Sequence, residues 1–579
     1  MKRIFRKVLV FVTVIVYSCS MTSCQEVNTF SNTGGISWQA DNSIQSDNII
    51  DSGPVKGGTL NLFCTYPDIL DPLLTKNPYL QTYFSFVYDS MIKLSKNQSP
   101  EGKLCDKWFV SEDGYTWTFH VREGIVWQDG YPFTAEDIEF TIERLLSYKQ
   151  DTIYAYNIDN ISSVTAINRN TVEITLKKPN AFTPELMTFP IVSSRFYSNP
   201  ENVSGAFKMK FPPGTGAYSL KAYEENSNML LTASKSWWGR KLDDTKDTIE
   251  IPYISDINIK FFKNSREAFG AFQAGSIDVI FADESDIDLY TGKTTVSSKK
   301  YINGKWDFIS FNLSNTVLSD KTARQFIYSC INKSEIIEDV FQERVIESNI
   351  PLIPGTWLHE TDEWIEGLSN NKENHESIYT SSKMELLEKG WEEYNGELFR
   401  NVYGVLHPVK LEILVNEENA DRIKIAEKIA QNLNDKGINV TLNIVSWEQL
   451  LNLVKSKKYD MAILGCTIPD YPDLSYIYST PYLDYLKFST TPEYPSATNI
   501  SGFYNEKVQD LIEKIYISRN RNEIKKLFSQ LKEIIDDEVP YAGLFFHNNA
   551  IIYNNNVRGD IDPYLWDEYN NITKWYLVK

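Results

Sequence analysis

The sequence predicts an α/β fold built as more than one lobe. Three observations carry that prediction. Residues 410–465 alternate strand-like and helix-like runs. Residues 108–130 form a separate block of short alternating segments broken by Gly-containing turns. The chain has 579 residues, and single hydrophobic cores stop growing at about 250–300, so two or three lobes are expected.

In the first of these regions Lys410–Val415, Ile438–Val445 and Tyr459–Gly465 read as strands, and Ala420–Lys436 and Trp447–Lys455 as helices. Such alternation implies a partly parallel sheet covered by helices. Upstream, Gly57-Gly58 precede a β-prone run, Thr59–Phe63, which reads as the first ordered strand. Tyr79–Leu94 is aromatic and of helical length. Trp108–Val110 leads through the turn Ser111-Glu112-Asp113-Gly114 into the alternating strand Tyr115–Val121. Gly124–Gly130 reads as a further strand and turn. Thr134, with Asp137 three residues on and acids in the first turn, opens a helix to about Tyr148. Thr171–Leu176 is a strand, and the stiff turn Pro212–Gly216 precedes another, Ala217–Leu220. Ser265–Ala274 is a helix with Gly275 placed to cap it. Asp278–Phe281 and Phe308–Leu313 are strands, and Asp320–Cys330 and Ser334–Phe341 are helices.

The N-terminus carries Lys2, Arg3, Arg6 and Lys7 ahead of the apolar run Val8–Tyr17. A cationic segment followed by a short apolar one is the pattern of a signal peptide, and the run is too short to span a bilayer. Met21-Thr22-Ser23-Cys24 resembles a lipobox. It predicts a signal peptide over 1–23 and diacylation of Cys24, with Cys19 disfavoured by the bulky Tyr17 before it. Residues 24–56, rich in Asn, Ser, Asp and Gly, read as a flexible tether. Two acyl chains suffice for stable anchoring, placing the protein on the outer side of the cell membrane. Loss of residues 1–23 removes four cations and no acid, taking the net charge from −19 to −23.

Composition excludes several functions. An acidic chain of pI about 4.9 lacks the cationic face that nucleic acid requires. Five scattered histidines offer no metal cluster, and no metal or cofactor is expected. Neither a Gly-x-Ser-x-Gly elbow, a Walker loop nor a Gly-x-Gly-x-x-Gly is present, so the chain reads as a non-enzyme. Six cysteines are too few for a disulfide scaffold. The 34 Tyr, 30 Phe and 13 Trp serve a core or a ligand cleft equally well.

The segment Trp108-Phe-Val-Ser-Glu-Asp-Gly114, Tyr115-Thr-Trp-Thr-Phe119, Arg122-Glu-Gly124, Trp127-Gln-Asp-Gly130 and Thr134-Ala-Glu-Asp137 resembles the family 5 extracellular solute-binding proteins of ABC importers, the oligopeptide- and dipeptide-binding group. Gly214-Thr-Gly216-Ala-Tyr218, Trp237-Trp238-Gly239, Gly275-Ser-Ile-Asp278, Leu386-Leu387 with Gly390-Trp391, and Asp470-Tyr471-Pro472-Asp473 follow in the family's order. The resemblance implies a periplasmic-binding-protein-like type II (cluster C) α/β fold, with two main lobes joined by a hinge and a smaller inserted α+β lobe. Lobe I would comprise 57–90, 186–305 and 548–579, the inserted lobe II 91–185, and lobe III 306–547.

It also implies short peptides as ligands, held in the cleft between lobes I and III, with ABC permease subunits and their cytoplasmic ATPase as partners. The protein is expected to act as a monomer. Asp470 falls where the family pairs a carboxylate with the peptide α-ammonium, although a turn or capping role is open to it and the segment Cys466–Pro469 looks one residue longer than usual. Tyr471 is credible cleft lining. Gly465-Cys466-Thr467 is the candidate backbone rail, or simply a loop leaving the sheet. Trp447 lines a side-chain pocket or packs in a core. Cys466 lies near a half-cystine of some relatives; it pairs with Cys64, Cys105 or Cys330, or stays a buried thiol. Ile463 stands where some oligopeptide binders have a basic residue. A nickel chelate, an oligosaccharide or a signalling peptide are the alternative ligands.

Overall fold

The computed structural model describes residues 53–199, 202, 211–241, 251–290, 292–342, 344–358, 376–479 and 499–578. The leader, Cys19, Cys24 and nearly all of the tether lie outside the described residues.

Strand β1 (Thr59–Thr65) opens the ordered chain. The helix Pro78–Val87 follows, started by Asn77, whose side chain accepts from the backbone N–H groups of Tyr79 and Leu80, with proline in the first turn. It stops at Val87 rather than running to Leu94. Ile92–Leu94 instead forms β2, paired with β3 (Pro100–Gly102). The buried–exposed–buried alternation of Ile92, Lys93 and Leu94 suits a strand with one wet face.

Four antiparallel strands then make a small sheet: β4 (Cys105–Val110), β5 (Thr116–Val121), β6 (Ile161–Asn168) and β7 (Thr171–Leu176), in the order β4-β5-β7-β6. The helix Ala135–Ser147 presents Ile138, Ile142 and Leu145 to the same core. Asp137 receives both the Thr134 N–H and the Trp127 indole N–H at 3.1 Å, so the capping residue also fixes a buried tryptophan. The strand expected at Gly124–Gly130 does not form. Gly124 and Gly130 sit at φ +76° and +86°, and the segment folds as tight turns held by one bridge between Val126 and Pro132.

Strands β8 (Tyr218–Glu224), β9 (Asn228–Ala233) and β10 (Asp256–Phe262) return to β1 in the order β1-β10-β9-β8, β1 and β10 being parallel. The helix Ser265–Gln273 ends where expected, at Gly275 with φ +74°.

The largest sheet uses β11 (Val279–Asp283), β12 (Val296–Phe311) and β13 (Val345–Glu347). After a separate meander of β14 (Trp391–Tyr394), β15 (Glu397–Val402) and β16 (Val405–Pro408), it adds β17 (Lys410–Asn416), β18 (Asn439–Val445), β19 (Met461–Thr467) and β20 (Tyr541–Asn554). Its order is β11-β20-β12-β19-β17-β18, with β13 on β20. The predicted alternation is present: β17 pairs in parallel with both β18 and β19, and the helices Ala420–Asp435 and Trp447–Lys455 connect them. Helices Glu506–Ile517 and Arg521–Glu538, which the sequence reading did not anticipate, bury Leu511, Ile515, Phe528 and Leu531 in the core.

Strand β12 begins at Val296, well before the expected Phe308. It and β20 are 16 and 14 residues long and pair with each other from Val296–Asn554 to Ser310–Tyr541. One end of this ribbon is flanked by β11 and the other by β19. The ladder lapses between Ile302 and Trp306, where Gly304 adopts φ +76°. The boundaries expected at 305/306 and 547/548 fall inside these two strands.

Candidate ligand-binding site

Because β17, β18 and β19 are parallel, their C-terminal ends lie along one edge of the sheet, the place where open α/β sheets bind ligands. Glu418 follows β17, Trp447 follows β18, and Thr467 and Asp470 follow β19. The edge therefore collects most of the residues predicted from the sequence.

Trp447 is half-buried against the core at the first turn of its helix. Its backbone N–H donates to Glu418 Oε1 at 2.9 Å, and that bond draws the Glu418 carboxyl below its usual range. Trp447 is separated from β19 by β17, so it stands along the edge from the rail residues rather than beside them.

Strand β19 is paired unequally. With β12 it pairs from Met461 to Thr467, whereas with β17 pairing stops at Ala462. Among the described residues, the strand from Ile463 to Cys466 thus has a paired strand on one side only. Gly465 and Cys466 are buried and Thr467 is exposed. A one-sided strand end is the geometry that accepts an added extended peptide through main-chain hydrogen bonds.

Asp470 lies three residues beyond the strand. Its backbone carbonyl accepts from Gln98 Nε2 at 3.0 Å, and Ile468 N–H donates to Gly304 O at 3.0 Å. The loop is tethered to Gln98, between β2 and β3, on one side and to Gly304 of β12 on the other. The Asp470 side chain is open to water yet crowded by protein, and this burial pushes its carboxyl above the usual range. Among the described residues no donor or cation lies on that carboxylate; the Tyr154 hydroxyl, itself pushed up by burial and then by Asp470, is the neighbouring titratable group.

Tyr471 turns the other way. It is buried; its hydroxyl meets that of Tyr156 at 2.5 Å, and its ring packs on Phe182 with centroids 5.2 Å apart. Asp473 accepts from the Ser475 N–H at 2.7 Å, just before the short helix Ser475–Tyr478. Ile463 is fully buried. Cys466 is unbridged, as are Cys64, Cys105 and Cys330, all four buried. Burial pushes the Cys64 and Cys330 thiols up to about 12.

Sequence reasoning missed an ion pair on the strand next to Gly465. Asp307, in register with Gly465, receives Arg422 Nη2 at 2.8 Å and Nε at 3.1 Å, and His547 Nε2 lies 3.5 Å away. Burial opposes the Asp307 charge, but the Arg422 guanidinium and His547 outweigh it and hold the carboxyl well below its usual range. The available signal was an arginine in the first turn of the helix Ala420–Asp435, an unfavourable end of the dipole for a cation.

Among the described residues no group of His, Cys, Asp or Glu could hold a metal ion, and no helix is long and apolar enough to cross a membrane.

Residues 99–486 match the family described as bacterial extracellular solute-binding proteins, family 5 Middle. The chain is 24% identical over 520 residues to the dipeptide-binding protein DppE of Bacillus subtilis, covering 85% of this chain and 87% of that one. It is 23% identical over 486 residues to the dipeptide-binding protein of Escherichia coli, covering 80% and 83%. Among solved structures, the unliganded open form of the periplasmic murein tripeptide-binding protein MppA superposes with a TM-score of 0.70 at 18% identity, covering 91% of this chain and 99% of that one. The α/β architecture is thus that of the periplasmic binding proteins, and the chain belongs to the family 5 bacterial extracellular solute-binding proteins of ABC importers.

Proposed function

We propose that this protein captures short peptides in an interlobe cleft and delivers them to a membrane permease driven by a cytoplasmic ATPase. It would do so as a monomer, outside the membrane, held by a diacylated Cys24. The observation that carries the peptide assignment is Asp470: an accessible carboxylate with no cation on it among the described residues, just beyond the end of β19, where Gly465 and Cys466 have a paired strand on one side among those residues. A peptide α-ammonium would supply the missing charge as a charge-assisted hydrogen bond. Gly465, Cys466 and Thr467 would bond its backbone. Trp447, farther along the edge, would line a side-chain pocket. Tyr471 would act by fixing the loop through Tyr156 and Phe182. The names of the relatives, two of them dipeptide-binding proteins, agree with this reading.

Native mass spectrometry of the purified protein tests it. Co-purified or added peptides are expected to be retained. A glycan or metal chelate found in their place, with no peptide bindable, would overturn the assignment.

A further inference from the structure

Gln98 goes against local preference in three ways. It sits in the loop Ser95–Ser99 that joins β2 to β3, at φ +64°, in the left-handed region where glycine and asparagine are at home and a Cβ is crowded by the following carbonyl. Its side chain is polar, yet the residue is 1% exposed. Its Oε1 has no hydrogen-bond partner among the described residues, which leaves a buried acceptor unsatisfied. Each of these features costs stability. A glycine at 98 would form the same turn with none of them. Outliers of this kind cluster at functional positions.

What the glutamine gains is one bond: its Nε2 donates to Asp470 O at 3.0 Å. The loop that carries it is itself fixed. Ser95 N–H donates to Ser99 O and Gln98 N–H to Ser95 O, both at 2.9 Å. Asn97 Oδ1 accepts from the Ser95 hydroxyl at 2.6 Å and from Ser99 N–H at 3.1 Å. Asn97 O accepts from Trp357 N–H at 2.9 Å, and Ser95 O accepts from the Trp566 indole N–H at 2.7 Å. The loop is thus held both to the chain after β13 and to the C-terminal segment. Ile468 N–H, two residues before Asp470, donates to Gly304 O at 3.0 Å. The backbone of residues 468–470 is therefore pinned at both ends, by the main chain of β12 at one and by the Gln98 side chain at the other. Among the described residues nothing bonds the Asp470 carboxylate itself, so its direction is set by the backbone that carries it.

We propose that Gln98 is a positioning residue for amine recognition: through its bond to the Asp470 carbonyl it orients the Asp470 carboxylate before a peptide arrives. The inference rests on the reading of Asp470 as the partner of a peptide α-ammonium. A group that must be ordered on binding forfeits affinity, and one already in place does not. A charge-assisted bond also needs a fixed geometry to reach its full strength. Gln98 touches no ligand in this scheme. It acts on the amine-dependent part of the affinity and leaves the main-chain bonds to Gly465 and Cys466 alone. A turn by itself does not account for glutamine here, since glycine would make the turn more easily.

The test is isothermal titration calorimetry of the purified protein with trialanine and pentaalanine, each with a free and with an N-acetylated amino terminus. Wild type is expected to bind a free peptide about tenfold or more tightly than its acetylated form. Gln98→Gly, which suits the left-handed backbone, and Gln98→Met, which keeps the side-chain length without a donor, should each shrink that ratio about threefold or more, with affinity for the acetylated peptides unchanged. Glycine relieves the backbone and methionine fills the same space, so at least one variant is expected to fold, as a thermal melt checks. An unchanged ratio in the folded variants, with the wild-type preference present and lost in Asp470→Asn, would overturn the role of Gln98 and leave that of Asp470 standing. Equal weakening of free and acetylated peptides would make Gln98 a structural residue and overturn the proposal as well. No preference in the wild type, or no binding of either free peptide, would remove the amine pairing and the inference with it.

Discussion

The hydroxyl of Tyr471 lies 2.5 Å from that of Tyr156, so the residue adjoining Asp470 is bonded to the chain just before β6. Asp470 and Tyr471, neighbours in sequence, are exposed and buried respectively, and removing each side chain's polar group should have opposite signatures.

Tyr471→Phe deletes the buried partner of a half-buried hydroxyl pair, a loss worth about 1 kcal/mol. Chemical denaturation should show that destabilisation, with peptide affinity nearly unchanged. Asp470→Asn should leave stability unchanged or raise it slightly, because a crowded charge is removed, while peptide affinity falls by about 10- to 100-fold, the range for a charge-assisted hydrogen bond. Equal peptide affinity in wild type and Asp470→Asn would refute the amine-pairing role.

The pH dependence of binding follows from the raised Asp470 carboxyl. A folded-state value above the unfolded one means that the ligand-free protein loses stability as pH rises through the window between them, since the folded state holds the extra proton there. An ammonium favours the ionised form. Peptide affinity should therefore climb over the same window, and binding inside it should release a proton. Calorimetry in buffers of different ionisation enthalpy reads that release directly, and Asp470→Asn should abolish it.

The Asp307–Arg422 pair has the opposite sign. Its depressed carboxyl contributes stability that is complete at neutral pH and is lost only as pH falls below the unfolded carboxylate value, about 4. Both side chains are 1% exposed, so Asp307→Ala strands a buried guanidinium and should cost about 3–5 kcal/mol. The double replacement Asp307→Leu with Arg422→Met should recover much of that loss. Failure of the second change to restore stability would mean that the site depends on His547 as much as on Arg422.

Gly304→Ala tests the lapse in the ribbon. A Cβ there would come within 2.7 Å of Leu565 Cδ2, on a backbone at φ +76°. The Leu565 side chain can move, but the backbone conformation costs a non-glycine residue about 1–2 kcal/mol. A loss of that size on denaturation is expected, and no loss would mean that the bulge relaxes freely.

The parallel part of the large sheet was legible in the sequence because its strands are apolar runs buried on both faces, as in Met461–Leu464, and its helices carry caps such as Asn419 and Ser446. The first half of β12 was not, because Lys299, Lys300 and Asn303 interrupt any apolar pattern in a strand that is half-solvated. The meander at 391–408 is exposed along much of its length, which leaves little alternation to detect. Glu506–Ile517 carries a regular apolar period in Val508, Leu511, Ile512 and Ile515, so its absence from the expectation is a matter of pattern reading rather than physics. At the site, Asp470 stood out only through its motif. The Arg422–Asp307 pair joins positions 115 residues apart, a distance over which local sequence carries no signal.

The four buried, unbridged cysteines bear on how the protein comes to be folded. Its described residues gain no covalent link on leaving the cytoplasm, so maturation after export would proceed without an oxidoreductase and without a reshuffling step. A reductant would have no disulfide to break among these four positions.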